Sequence, residues 1–198
     1  MKRIIFILLT LFLCVSFNVN AQEAANANLS QNRDLGGFVS LDLSFSSVDK
    51  KFGFFTGGSG GFIVKNIRLG IFFNGLTSNT KIKNKETNNS YKASCSFGGI
   101  MAGYPLWHSK RFHGVAELRL FVGKMATINA NDYELDNNSI FYGLTPSLGI
   151  EYYLTDILAL GLNIDYRHCF FPDTPTLYSK TSLNSLGASI SIKLGHFR

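Results

Sequence analysis

From Ile140 to Leu154 every even position is apolar: Ile140, Tyr142, Leu144, Pro146, Leu148, Ile150, Tyr152 and Leu154. The odd positions between them are mostly small or polar. Successive side chains of a strand point to opposite faces, so an alternation of period two held over this length specifies β-structure with one wholly apolar face. The pattern recurs in Leu158, Leu160, Leu162, Ile164 and Tyr166, and again in Leu186, Ala188, Ile190, Ile192 and Leu194. None of these eighteen positions is charged, whereas the rows between them hold Gly, Ser, Asn and the charged Asp165, Arg167 and Lys193. A small barrel in water needs its apolar row inside, and these charges would then face solvent. A barrel whose outside is lipid needs the reverse, and the charge-free rows fit that wall.

The first residues determine where such a barrel goes. Lys2 and Arg3 precede an apolar run from Ile4 to Phe17 and the small-residue site Val19-Asn20-Ala21, the organisation of a cleaved secretory signal peptide over residues 1–21. That run is too short for a spanning helix of about 20 residues, and no later segment is long enough. Cys14 lies inside the run after Phe12 and Leu13, where a lipidation site would want small residues, and leaves with the signal. Residues 22–34 are polar and aperiodic and read as a flexible exported segment, and 35–198 as one barrel domain. Removing Lys2 and Arg3 lowers the formal net charge from +6 to +4, a mild basicity that with export excludes nucleic acid as a partner. Charged residues at 16% with aromatics at 14% are the balance of a lipid-facing barrel rather than a soluble domain. Cys95 and Cys169 stand in separate strand candidates without a spacing pattern, which favours free thiols.

Eight strand candidates follow Leu35: 35–47, 51–64, 67–78, 91–104, 112–127, 139–154, 157–170 and 181–197. An even number lets a closed antiparallel sheet meet itself, so that no edge faces lipid. The fold class is therefore all-β, an eight-stranded antiparallel up-and-down transmembrane β-barrel. Segments 79–90, 128–138 and 171–180 are long and polar, while 65–66 and 155–156 are short; long loops outside the cell and short turns on the inner side are the rhythm of such barrels. Segments 47–50 and 105–111 fit it less well, the first being short and the second longish. Asn74-Gly75 is a hairpin signal that would split the third strand, a weaker parse because eight strands already match the loops. Glycines 57, 58, 60, 61, 98, 99 and 103 dilute the second and fourth strands and fit bulges or bends. Placing Leu154 opposite Leu158 sets Tyr152 against Leu160, Ile150 against Leu162 and Leu148 against Ile164, because any odd slip would oppose outward to inward residues along the hairpin.

The stretches PSLGIEYYLTDILALGLNIDYRH (146–168) and GIMAGYPL (99–106) resemble the small outer-membrane β-barrels of Gram-negative bacteria, the OmpA and OmpX-type barrels. As architecture the resemblance covers residues 35–198. It implies outer-membrane lipid and lipopolysaccharide as surroundings, and barrel-assembly machinery during biogenesis, which reads a terminal aromatic; here Phe197 is next to last. It also implies a monomer with no cofactor. Lipid A deacylase barrels carry a rim His-x-Ser-Asn pattern; His168 stands near the expected outer rim, but the residue two beyond it is Phe170, so the nucleophile of that pattern is missing.

The inward rows carry Asp42, Arg68, Glu117, Arg119, Glu151, Asp165, Arg167 and Lys193, four acids and four bases. An eight-stranded barrel holds little besides its own side chains, so these groups are expected to neutralise one another, with Glu117 beside Arg119 and Asp165 beside Arg167. Leu148, Ile150, Leu160, Leu162, Ile164, Ile190 and Ile192 are expected to face lipid. Lys81, Lys83 and Lys85, with Lys92, are candidate contacts for lipopolysaccharide phosphates or a partner, against the simpler reading of a solvated loop. His108 and His113 lack a third ligand and give no metal site. Trp107, Tyr104, Tyr152 and Tyr153 are expected in an inner aromatic girdle. The run Gly57-Gly58-Ser59-Gly60-Gly61 has no following helix or lysine and is no phosphate loop. The expected function is a non-enzymatic outer-membrane barrel with a plugged lumen and exposed loops; a narrow porin or small-solute transporter is the alternative, and a lipid A-modifying enzyme the remoter one.

Overall fold

Residues 35–78, 81–83, 90–109, 111–129, 135–172 and 183–195 are described by the structure, a computed structural model, with backbone alone at 81–83, 90–91, 108, 127–129 and 135–138. All regular structure among them is β: β1 Leu35–Val48, β2 Lys51–Val64, β3 Ile67–Leu76, β4 Lys81–Lys83, β5 Ser90–His108, β6 Phe112–Asn129, β7 Leu135–Tyr153, β8 Leu158–Phe170 and β9 Ser185–Gly195. Each strand pairs antiparallel with its neighbours, in the order β1, β2, β3, β5, β6, β7, β8, β9, and β9 pairs back onto β1. The three residues of β4 pair only with the start of β5, continuing the line of β3. The wall is thus a closed barrel of eight staves, as the alternation requires.

The hairpin of β7 and β8 has the register deduced for it from the sequence. Tyr152 pairs with Leu160, Ile150 with Leu162 and Leu148 with Ile164, and the turn closes where Leu154 N–H donates to the Leu158 carbonyl at 3.0 Å. Residues 74 and 75 lie inside β3, so Asn74-Gly75 is not a turn. The two connections that fitted poorly have local causes. Asp49 and Lys50 both have positive φ, 50° and 62°, so two residues suffice to join β1 to β2; Lys65 and Asn66 do the same for β2 and β3. Such two-residue turns match the twist of the strands they join. On the other side, β5 and β6 run on to His108 and Phe112 past a register shift between Pro105 and Trp107, which absorbs most of 105–111 into strand.

Parity sorts the side chains. The outer wall exposes Leu41, Ile71, Ile100, Leu148, Ile150, Leu160, Leu162, Ile164, Ile190 and Ile192 among many other apolar residues. The interior holds the residues of opposite parity, and it has two layers. Toward the short-turn side lie the charged groups, and toward the long-loop side lies a cluster of buried Phe55, Phe72, Phe97, Phe121, Phe141 and Phe171 with Met125, Cys95, Cys169 and Leu183.

Two glycines for which the sequence set no expectation, Gly123 and Gly143, make room for aromatic rings. A Cβ on Gly143 would stand 2.3 Å from the tip of the Phe121 ring, and one on Gly123 would stand 2.4 Å from that of Phe141. Gly143 and Phe121 are cross-strand partners, as are Gly123 and Phe141. Each inward ring therefore lies across the neighbouring stave on a residue with no side chain. No register shift occurs in β2.

Candidate functional site

The lumen is the candidate site, because every buried charge of the described residues is in it. Asp42, Arg68, Glu117, Glu151, Arg167 and Lys193 are buried, and Arg119 and Asp165 are partly so. Glu151, with no exposed surface, is the hub. Arg68 grips it with both terminal nitrogens, Nη1 to Oε1 and, at 2.7 Å, Nη2 to Oε2. Lys193 Nζ donates to Oε1 at 2.8 Å. The Tyr153 hydroxyl donates to Oε2 at 2.9 Å and accepts from Arg68 Nη2 at 3.0 Å.

From Lys193 the network continues across the barrel. Its Nζ lies 3.8 Å from Glu117 Oε2, and Glu117 Oε1 accepts from Arg119 Nε at 2.6 Å. Arg119 Nη2 then reaches Asp42 Oδ2 at 3.4 Å, whose other oxygen accepts from Ser40 Oγ at 2.9 Å. Six charges, three of each sign, form one chain linking β1, β3, β6, β7 and β9. Desolvated charges are tolerable when each has an opposite partner and its remaining hydrogen bonds are met.

Asp165 and Arg167 depart from the pairing expected of them. Arg167 donates instead to the carbonyls of Leu183 at 2.9 Å and Ser47 at 3.1 Å, with its guanidinium 4.6 Å from the centre of the Phe55 ring and 5.5 Å from that of Phe97. Arg119 sits likewise 5.1 Å from the Phe72 ring centre. A cation over an aromatic face is attracted by the ring quadrupole, so the two arginines join the ionic layer to the aromatic one. Asp165 makes no hydrogen bond or ion pair among the described residues. It borders an interior cavity of about 30 Å³ that Asn74, Ser46, Arg119 and Arg167 also line. The buried Ser46 Oγ and Asn74 Oδ1 have no hydrogen-bond partner among the described residues, and a space of this size admits a water molecule or two, which can donate and accept at once.

The aromatic layer was not anticipated. Phe97 is its centre, with ring centroids 4.9 Å from Phe121, 5.7 Å from Phe55 and 6.3 Å from both Phe72 and Phe141. The signal available in the sequence was the pairing of inward Phe with inward Gly on adjacent strands, but it requires the register of the staves to be known.

Other expected positions divide. Leu148, Ile150, Leu160, Leu162, Ile164, Ile190 and Ile192 are all exposed on the outer wall. Tyr104 and Trp107 are outward too, and Tyr152 packs on Phe112 at 4.9 Å. Tyr153 is not part of a girdle: its odd parity turns it into the lumen beside Glu151. His113 also points inward, 4.3 Å from the Tyr153 ring centre. His168 is outward, edge-on to Phe170 at 4.5 Å and 3.4 Å from Asn184 Nδ2 through Nδ1. Ser179, Ser182, Lys85, Phe197, residues 1–34 and the side chains of Lys81 and Lys83 lie outside the described residues. No metal-holding group of His, Cys, Asp and Glu occurs among the described residues. Cys95 and Cys169 are free and buried in the aromatic layer.

No family model matches the chain, and no curated protein does. Solved structures match in fold. Neisserial surface protein A (NspA) superposes with a TM-score of 0.54 at 14% identity, over 83% of this chain and 97% of that one. Outer membrane protein OprG from Pseudomonas aeruginosa gives 0.49 at 10% identity, over 82% and 95%. Ail, the attachment invasion locus protein of Yersinia pestis, gives 0.43 at 10%, over 83% and 99%. The neighbours are small outer-membrane barrels, and the first of them carries the conclusion that this chain has their fold, an eight-stranded antiparallel transmembrane barrel.

Proposed function

We propose that the protein is an integral outer-membrane barrel that conducts no solute and acts through its outer surface. The carrying observation is the double closure of the lumen: an ionic chain spans one layer and six phenylalanine rings the other. The interior cavity between them, about 30 Å³, is far below the few hundred Å³ of a small-molecule site. Planar-bilayer recording of the purified protein tests this, with a silent membrane expected; discrete conductance steps would replace the reading with that of a narrow porin.

The outer surface then holds what activity there is. Lys92 and Lys124 are exposed on the long-loop halves of β5 and β6, and Lys92 is the cross-strand partner of Lys81 in β4, which Lys83 and Lys85 follow in sequence. Together they would offer cations to lipopolysaccharide phosphates, to which lysine contributes point charges. The non-enzymatic reading is supported by the packing of His168 between Tyr166 and Phe170. Unchanged lipid A masses in cells with and without the protein are the expected result; an altered acyl count would overturn it.

A further inference from the structure

The outer wall is not uniformly convex. A furrow of about 680 Å³ crosses it from Ile67 at the start of β3 to Leu186 at the start of β9. Its floor is the backbone of Gly103, Glu117, Ser147 and Asp165, which follow one another as cross-strand partners and turn their side chains inward. The furrow therefore runs along the hydrogen-bond direction, and six staves at an inter-strand spacing of ~4.8 Å make it about 24 Å long. One bank carries Tyr104, Leu148 and Ile164 and the other Leu118, Tyr166 and Leu186. The banks are lowered where Ala102, Ala116 and Pro146 interrupt them. Pro146 also has no N–H for the ladder, and the Thr145–Arg167 and Pro146–Tyr166 pairs are missing between Leu144–His168 and Ser147–Asp165.

A trench this long and narrow, apolar along both banks, has the shape of one extended hydrocarbon chain rather than of a compact ligand. Its two ends differ. The Ile67 end adjoins the short-turn rim, where Lys65 is exposed in the two-residue turn, two residues before Ile67. A cation at that rim matches the phosphate of a phospholipid of the inner leaflet, because lysines beside the membrane attract anionic headgroups. We propose that the furrow holds one acyl chain of an inner-leaflet phospholipid, with its phosphate at Lys65. This rests on the lipid-immersed wall of the preceding section.

The test is native mass spectrometry of the whole barrel released from a non-ionic detergent after titration with phosphatidylglycerol. One retained phospholipid per barrel is expected. Ala116→Phe puts a ring at the low point of the bank between Tyr104 and Leu148, beside the floor at Gly103 and Glu117, and so crowds the furrow from outside; Leu41→Phe makes the same kind of change on β1, away from it. Retention is expected to fall about tenfold or more for Ala116→Phe, the effect of blocking an apolar slot, and to hold for Leu41→Phe. Lys65→Glu should weaken retention of phosphatidylglycerol about fivefold and leave that of uncharged diacylglycerol unchanged. Heat-modifiable migration on gels and insertion into liposomes, measured on each variant, separate the two readings: failure of both in the wild type would remove the membrane barrel itself. Normal insertion with equal retention by Ala116→Phe, or preferential retention of lipid A, would overturn the furrow assignment alone.

Discussion

Glu151 accepts from Arg68, Lys193 and Tyr153 with no exposed surface, so its loss would take the bidentate partner from Arg68 and leave Lys193 with Glu117 at 3.8 Å. Breaking a buried pair by removing one partner costs about 3–5 kcal/mol. Glu151→Leu should therefore lower the stability of the barrel in lipid vesicles by that amount in urea titrations. Asp165 carries the same charge on the neighbouring strand but makes no ion pair among the described residues. Asp165→Asn should stay within about 1 kcal/mol of wild type in the same titration. Equal losses for the two would mean that the pairing described for Glu151 does not govern its energetics. Residue type alone ranks these carboxylates as equals; their partners distinguish them.

At the scale of strands and turns, two local choices decide how the staves fit. The Asp49-Lys50 turn places two residues with side chains at positive φ, a conformation that costs a non-glycine residue of order 1 kcal/mol and that Asn-Gly adopts readily. Replacing the pair by Asn-Gly should raise the urea midpoint, equivalent to about 1 kcal/mol. The second choice is the seating of Phe121 on Gly143, where an added Cβ would meet the ring at 2.3 Å. Gly143→Ala should cost about 1–3 kcal/mol as overpacking, and most of that cost should vanish in a Phe121→Ala background. An additive double mutant would show that the ring does not press on this glycine. The strands themselves were legible from parity, and so was the register of the hairpin of β7 and β8, because a one-residue slip would turn its whole apolar row inward. The glycines of β2 mark no bulge: dilution of an alternating pattern looks the same whether it marks a bend or a close approach of the next strand, as where a Cβ on Gly57 would stand 2.0 Å from the Phe73 carbonyl oxygen.

For the whole molecule, the non-conducting role proposed above rests on closure. Because the ionic and aromatic layers lie in series, opening one should leave the other shut. Phe97→Ala, Phe121→Ala and Phe141→Ala combined should still give silent bilayers, and conductance should appear only when Glu151→Ala is added. Channels in the triple variant would show that the ionic layer is no barrier. The sequence by itself determined the strand count, the sidedness of the wall and the inward set of charges. Those follow from a period of two and from the cost of placing charge in hydrocarbon, both of which act along a single strand. Which charges meet, where the rings sit and where the furrow runs were decided by the tertiary structure. Arg68 and Glu151 are 83 residues apart, and only closure of the barrel with its particular stagger brings such positions to one height. The ionic chain, the rings on their glycines and the row of small residues in the wall are all relations between staves, and a strand read alone carries no record of its neighbour's register.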